Sequence, residues 1–124
     1  MRPRILIVDS NRVIRGFIRS ILSSRAGEIR EAVDGRDAIT QYTNWHPDVV
    51  LMEVRMPHMD GLDATRAIRA LDPRALIVIV TDYDVADYRS AAREAGATDY
   101  VLKEHLLLLP DLIGDLSRHP HIGA

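Results

Sequence analysis

Five short apolar segments recur along the 124-residue chain, separated by segments with a helical period. The apolar segments span 4–9, 28–33, 48–53, 75–81 and 99–102. The first, third and fourth are continuously apolar, which is typical of strands covered on both faces in a parallel sheet. The second is weaker, with apolar and charged residues interleaved. The pattern therefore predicts five strands, of which at least three are central.

Amphipathic segments lie between the predicted strands, with apolar residues three and four positions apart. In the first, this face comprises Val13, Ile14, Phe17, Ile18, Ile21 and Leu22. The other helices are predicted at 35–45, 60–71, 85–95 and 106–116. In the helix at 60–71, Leu71 is expected on the inner face, and Arg66 and Arg69 are expected to point outward. Gly96 follows the fourth helix at the position of a C-cap glycine.

Strand and helix alternate five times, which predicts an α/β fold: a doubly wound sheet of five parallel strands with helices on both faces. The length suits one domain, and no linker, repeat or low-complexity segment divides it. We therefore expect a single domain over 1–124. The end of the chain, 118–124, contains Pro120 and Gly123 and is expected to be frayed.

Composition excludes several functional classes. Apolar residues make up 47% of the chain, charged residues 27%, and the formal net charge is −2. The chain therefore carries no electrostatic footprint for nucleic acid. It contains no cysteine, which excludes disulfides and thiol chemistry. No segment approaches the roughly 20 apolar residues of a membrane span, so a cytoplasmic protein without membrane contact is expected.

Polar residues end four of the five predicted strands. Asp9 ends the first, Glu53 the third and Thr81 the fourth, while Lys103 follows the fifth. Because ligands of open parallel sheets bind beyond the carboxyl ends of the strands, these side chains are expected to converge. This set of groups suits phosphoryl transfer to a carboxylate. The acids can hold a divalent cation, and the hydroxyl and the ammonium group can bind the phosphoryl oxygens.

Several sequence motifs surround these residues. They are Ile-Leu-Ile-Val-Asp (5–9), Glu-Ala-Val-Asp-Gly (31–35), Pro-Asp-Val-Val-Leu-Met (47–52), Arg-Met-Pro-His-Met-Asp-Gly (55–61), Thr81, Ala-Gly-Ala (95–97) and Tyr-Val-Leu-Lys (100–103). With them the chain resembles the receiver domain of response regulators, over essentially its whole length. The resemblance implies a flavodoxin-like fold and a non-enzymatic module of a two-component phosphorelay. A histidine kinase or another signalling protein is the implied partner.

The resemblance also implies a role for individual positions. Glu53 stands at the phospho-acceptor position, which is an aspartate in the family. Asp9, Glu53 and the backbone carbonyl of Arg55 would hold Mg²⁺. Thr81, Tyr100 and Lys103 would form the switch that follows the phosphoryl group. Pro57 and Gly61 would shape the loop after the acceptor.

Two positions depart from the family pattern. Glu53 extends the carboxylate by one methylene, roughly 1.3–1.5 Å, which predicts a poor phosphate acceptor that partly imitates a phosphorylated aspartate. Ser10 stands where a second metal-binding acid is usual, so Mg²⁺ is expected to bind weakly. Two accounts fit: a natural atypical receiver that signals without phosphate, or an engineered phosphomimetic. Ser10 favours the natural account, because an engineer would have no reason to change that site.

Two other functions are weighed against this one. A metal-dependent phosphatase of related architecture would need a second acid two residues after its nucleophile, where Arg55 stands. The chain could also be the N-terminal part of a DNA-binding transcription regulator, whose DNA-binding region would then lie outside these residues.

Four consecutive leucines precede Pro110, which is tolerated only near a helix start. The last helix is therefore expected to begin at Leu108 or Leu109. The leucines cannot all face the core. The segment between Leu106 and Leu116 is accordingly predicted either to combine a loop leucine with a core face or to expose an apolar patch for a partner. The resemblance to receiver domains, which commonly associate through the fourth helix, the fifth strand and the fifth helix, implies that this patch is a homodimer surface.

Overall fold

The computed structural model describes residues 2–118. The strands are β1 (Arg4–Val8), β2 (Glu28–Ala32), β3 (Val49–Met52), β4 (Ile77–Thr81) and β5 (Asp99–Leu102). The helices are α1 (Arg12–Leu22), α2 (Gly35–Trp45), α3 (Gly61–Leu71), α4 (Ala86–Ala95) and α5 (Leu109–Arg118). All strand pairs are parallel, in the order β2-β1-β3-β4-β5. This is the doubly wound α/β fold that the sequence predicts.

The core lies on both faces of the sheet. Alternate residues of β1, β3 and β4 point to opposite faces, so Leu6 and Val8 pack with α2 and α3, whereas Ile5 and Ile7 pack with α1 and α5. All of these residues are buried. Continuous apolar sequence is required here because each central strand has no solvent-facing side.

Side-chain caps begin three of the helices. Asn11 caps α1, Asp34 caps α2 and Asp60 caps α3, each by accepting backbone N–H bonds. Helix α4 has Val85 at its N-cap, without a side-chain cap, and Gly96 at its C-cap, where φ is 100° and lies in the left-handed region. The predicted C-cap role of Gly96 is therefore confirmed.

Four predicted orientations are wrong. Val13 and Phe17 of α1 and Leu71 of α3 are exposed, because a helix on a sheet buries a narrower stripe than the periodicity marks. Arg69 does not point freely outward: its Nε and Nη2 atoms donate to the Gly96 carbonyl at 3.1 and 2.7 Å.

The segment after β5 forms a 3-10 helix over Lys103–Leu108 and then α5. The predicted start at Leu109 is confirmed, whereas the wider bounds 106–116 are wrong at both ends. Leu106 and Leu109 are buried, while Leu107 and Leu108 are 75% and 61% exposed. Arg118 belongs to α5, and the predicted fraying of 119–124 lies outside the described residues. Within 2–118, no helix has the length and apolar character that crossing a membrane requires.

Candidate functional site

The four predicted side chains meet at the carboxyl edge of the sheet. Asp9 follows β1, Glu53 follows β3, Thr81 ends β4, and Lys103 follows β5. Strands β1, β3, β4 and β5 are neighbours in the sheet, so their ends lie side by side. Asp9, Glu53 and Thr81 are all buried. Two acids are thus held in an apolar setting, where an unpaired charge is costly.

Lys103 neutralises both acids. Its Nζ atom lies 2.8 Å from Asp9 Oδ2 and 2.7 Å from Glu53 Oε1, and its side chain is 11% exposed. Burial lowers the pKa of Lys103, but hydrogen bonds and charge attraction from Asp9 and Glu53 outweigh it, so the net pKa is raised. Lys103 therefore stays charged in the folded protein at neutral pH.

The remaining carboxylate oxygens are also engaged. Asp9 Oδ1 accepts the Asn11 N–H at 2.8 Å, and Glu53 Oε2 accepts the Val54 N–H at 2.5 Å. An acid just before a helix often serves as its N-cap. Here Asn11 caps α1, so the Asp9 carboxylate is not needed for capping. Each oxygen of the two acids thus has a partner within the protein.

Thr81 is the exception at this site. Its Oγ1 is buried and has no hydrogen-bond partner among residues 2–118. Buried hydroxyls are normally hydrogen-bonded. Because the Thr81 hydroxyl is not, it is free to donate and to accept a hydrogen bond. Glu53 therefore engages Lys103 but not Thr81.

Tyr100 lies half-buried next to the site. Its ring packs against the core on the α2–α3–α4 face, and its hydroxyl donates to the Tyr83 carbonyl. The Arg89 guanidinium lies 4.5 Å from the ring centroid. Burial, the largest cause, raises the pKa of Tyr100. The side chain is thus anchored to the β4–α4 loop rather than free in solvent.

Few side chains at the site are free to bind a divalent cation. Among the described residues, no group of three or more histidine or acidic side chains lies close enough to share a metal ion. Ser10 and Asp82 are exposed, and the Arg55 side chain turns toward two tyrosines. With Asp9 and Glu53 both bound to Lys103, this arrangement does not fit a tightly held Mg²⁺.

Gly61 places the acceptor loop against the end of β3. Its N–H donates to the Val54 carbonyl at 2.7 Å, and a Cβ atom at this residue would lie 1.8 Å from the Glu53 carbonyl oxygen. Only glycine allows this approach, which agrees with the loop-shaping role that the resemblance implies for Gly61.

Sequence reasoning missed one feature of the site. A cluster of tyrosine and arginine side chains in mutual contact lies over the β4–α4 loop. It consists of Arg55, Tyr83, Tyr88, Arg89 and Tyr100. Its members come from three strand ends and α4. No local periodicity marks them, so only their residue types could have indicated the cluster.

The chain is similar to known proteins over most of its length. A family model described as the response regulator receiver domain matches residues 5–108. The chain belongs to this family, and it is a receiver domain of two-component signalling. Receiver domains are signalling modules that interact with histidine kinases and other signalling proteins, and they commonly bind Mg²⁺ at the phosphorylation site.

Individual relatives differ in length. The chain is 37% identical to the regulatory protein AtoC of Escherichia coli over 81% of the chain and 22% of the relative. It is 35% identical to the chemotaxis protein CheY of Thermotoga maritima over 83% of the chain and 87% of that protein. A two-component response regulator of the LuxR family from Aurantimonas superposes with a TM-score of 0.89 at 32% identity, over 96% of the chain and 87% of that structure.

Proposed function

We propose that this receiver domain signals through protein contacts without phosphorylation, and that the Glu53 carboxylate supplies the negative charge at the acceptor position. The observation that carries the proposal is the pair of contacts from Lys103 Nζ to Asp9 and Glu53, at 2.8 and 2.7 Å. The Lys103 ammonium group is thereby paired with the carboxylate of Glu53 rather than with an added phosphoryl group.

The surroundings of Glu53 argue against a nucleophile. One carboxylate oxygen is bound to Lys103 and the other to the Val54 amide. A nucleophilic oxygen must sit within about 0.5 Å of its productive position, and the added methylene exceeds that tolerance. Glu53 is therefore proposed to occupy the acceptor position without accepting phosphate.

The imitation of a phosphorylated aspartate is partial. Glu53 brings one charge and two oxygens, whereas an acyl phosphate brings nearly two charges and three acceptor oxygens. The unpartnered Thr81 hydroxyl agrees with this difference. We propose that Thr81, Tyr100 and Lys103 form the switch, and that Lys103 responds fully to Glu53 while Thr81 does not.

The experiment is labelling with radioactive acetyl phosphate in the presence of Mg²⁺. The natural chain and E53N are expected to incorporate no hydroxylamine-labile phosphate, whereas E53D restores a shorter carboxylate and gains labelling. E53N is the matched control, since it has the length of aspartate but no charge. Labelling of Glu53 in the natural chain at the yield of E53D would refute the proposal.

The proposal extends to the metal and to partners. Mg²⁺ is proposed to bind weakly, through Asp9, Glu53 and the Arg55 carbonyl, because Ser10 adds no charge and Lys103 competes for both acids. A histidine kinase or another signalling protein is proposed to dock near the site, where exposed Val13 and Phe17 lie on α1. A cytoplasmic location and the lack of direct nucleic-acid binding stay predictions from composition.

A homodimer is proposed through the segment that follows β5. Leu107 and Leu108 are adjacent, apolar and exposed, while their neighbours in the chain are fixed in the core. They therefore present a rigid apolar pair that a second copy could cover.

The two rival functions gain less support. At the position where a phosphatase needs its second acid, the Arg55 side chain lies on Tyr83 and Tyr88. A DNA-binding output would require a region outside these residues, and the chain spans only 22% of the regulatory protein AtoC.

A further inference from the structure

The β4–α4 loop, residues 82–85, has little regular structure to hold it. Its residues are exposed, and α4 begins without a side-chain cap. Helix starts without caps fray readily, because their first N–H groups lack partners. The conformation of the loop must therefore depend on contacts made by its side chains and by residues of neighbouring elements.

Arg55 makes the contacts that tie this loop to the acceptor loop. Its guanidinium lies 4.9 Å from the Tyr83 ring centroid, and its Nε donates to the Tyr88 hydroxyl at 3.2 Å. The Tyr83 and Tyr88 rings pack with centroids 5.4 Å apart. One planar cation thus joins a loop tyrosine to a tyrosine of α4.

A second set of contacts joins the same loop to β5. The Tyr100 hydroxyl donates to the Tyr83 carbonyl. Arg89 lies over the Tyr100 ring at 4.5 Å, and its Nε is 2.9 Å from Asp84 Oδ1. The backbone of Tyr83 is therefore held from two sides, by Arg55 through its ring and by Tyr100 through its carbonyl.

The position of these residues connects the cluster with the site. Arg55 is two residues after Glu53, Tyr83 two after Thr81, and Tyr100 three before Lys103. We propose that Arg55 is a positioning residue that holds the β4–α4 loop, and hence Tyr100, in one conformation by contacts that do not involve the carboxylates. This inference rests on the proposed function in one respect only: if Tyr100 is part of the switch, then Arg55 keeps the switch in one state and so affects signalling.

Amide hydrogen exchange tests the proposal. The reporter is the Arg89 N–H, which donates to the Val85 carbonyl at 3.2 Å in the first turn of α4. Loss of a contact of this kind in R55A is expected to raise its exchange rate about two- to fivefold. R55K keeps the charge but loses the planar stack, so it should raise the rate as well. Y88F removes the hydroxyl acceptor alone and should give a smaller rise.

Two controls make the result specific. R66A removes an exposed arginine of α3 that pairs with Asp63, and it should leave Arg89 exchange unchanged. The Val50 N–H, bonded to the Leu76 carbonyl in the core, reports global unfolding, and Arg89 should exchange faster than Val50 in every variant, which separates local opening from global unfolding. Equal Arg89 exchange in R55A and R66A would overturn the inference.

Repeating R55A in an E53Q background separates the inference from the proposed function. We expect the same rise in Arg89 exchange, because the Arg55 contacts do not include Glu53. Disappearance of the rise in E53Q would show that the loop is ordered by the carboxylate, against the inference. Phosphate labelling of the natural chain would refute the proposed function and leave this exchange result standing.

Discussion

At the scale of residues, the site is defined by which polar atoms have partners. Lys103 satisfies Asp9 and Glu53, and backbone amides take the other carboxylate oxygens. Thr81 holds a buried hydroxyl, the one polar side-chain atom of this site with no partner in the described part of the chain. A phosphoryl group would bring acceptor oxygens for such a hydroxyl, whereas the Glu53 carboxylate does not reach it.

Because the buried Thr81 hydroxyl has no partner, we predict that T81V stabilises the protein. The substitution removes a buried group that has lost its hydration without gaining a bond, which should raise the free energy of unfolding by about 1 kcal/mol. T65V is the matched control, because the buried Thr65 hydroxyl donates to the Gly61 carbonyl at 2.7 Å. It should lower the free energy of unfolding by about 1 kcal/mol. Urea denaturation measures both, and destabilisation of equal size would contradict the account.

At the scale of elements, loops at the carboxyl edge decide the geometry of the site. The strands are rigid and buried, so the ends of β1, β3, β4 and β5 are fixed. The acceptor loop returns to α3 through Gly61, which contacts the Glu53 backbone. Any change that moves this contact should move Glu53 relative to Lys103.

G61A is therefore expected to be strongly destabilising. The added Cβ would collide with the Glu53 carbonyl at 1.8 Å, which should cost at least about 3 kcal/mol of unfolding free energy. G16A is the control within another helix, where a Cβ meets nothing within 4 Å. It should stabilise by about 0.5–1 kcal/mol, because alanine favours helix. Thermal denaturation separates the two, and a neutral G61A would refute the close contact.

The exposed leucines allow a test of the dimer surface. The double variant L107S/L108S should weaken self-association, measured by analytical ultracentrifugation, with little loss of stability since both side chains are exposed. L71S is the matched control, because Leu71 is 61% exposed on α3. By contrast, L106A or L109A should cost about 2–5 kcal/mol in stability. Self-association equal in L107S/L108S and the natural chain would contradict the proposed surface.

At the scale of the whole molecule, most of the fold is predictable from sequence. Strands buried on both faces have continuous apolar runs, so β1, β3 and β4 are found within two residues of their predicted bounds. The exposure of Val13 and Phe17 is not predictable, because it depends on how much of α1 the sheet covers. The bond from Arg69 to Gly96 joins distant segments, and periodicity carries no information about it.

The site divides in the same way. The convergence of Asp9, Glu53, Thr81 and Lys103 follows from strand order, since the carboxyl ends of neighbouring parallel strands meet. Which of these atoms bond to each other depends on differences of less than 1 Å. The sequence therefore predicts that Glu53, Thr81 and Lys103 converge, but it leaves open the free Thr81 hydroxyl and the Arg55 contacts.

The pH dependence of stability follows from the Lys103 ion pairs. Because the folded-state pKa of Lys103 is raised, the contribution of these pairs is fully present below the unfolded-state value of about 10.4. It is lost as the pH rises through the folded-state pKa. E53Q should reduce this alkaline loss, because one of the two acids no longer carries charge.

The most direct measurement uses the fact that Lys103 is the single lysine of the chain. Its side-chain ¹⁵N signal in lysine-labelled protein can be titrated by NMR without ambiguity of assignment. We expect a Lys103 pKa above the ordinary lysine value in the natural chain, a lower one in E53Q, and no change in the surface control D63N. An identical Lys103 titration in the natural chain and E53Q would contradict the claim that the Glu53 carboxylate supplies the charge at the acceptor position.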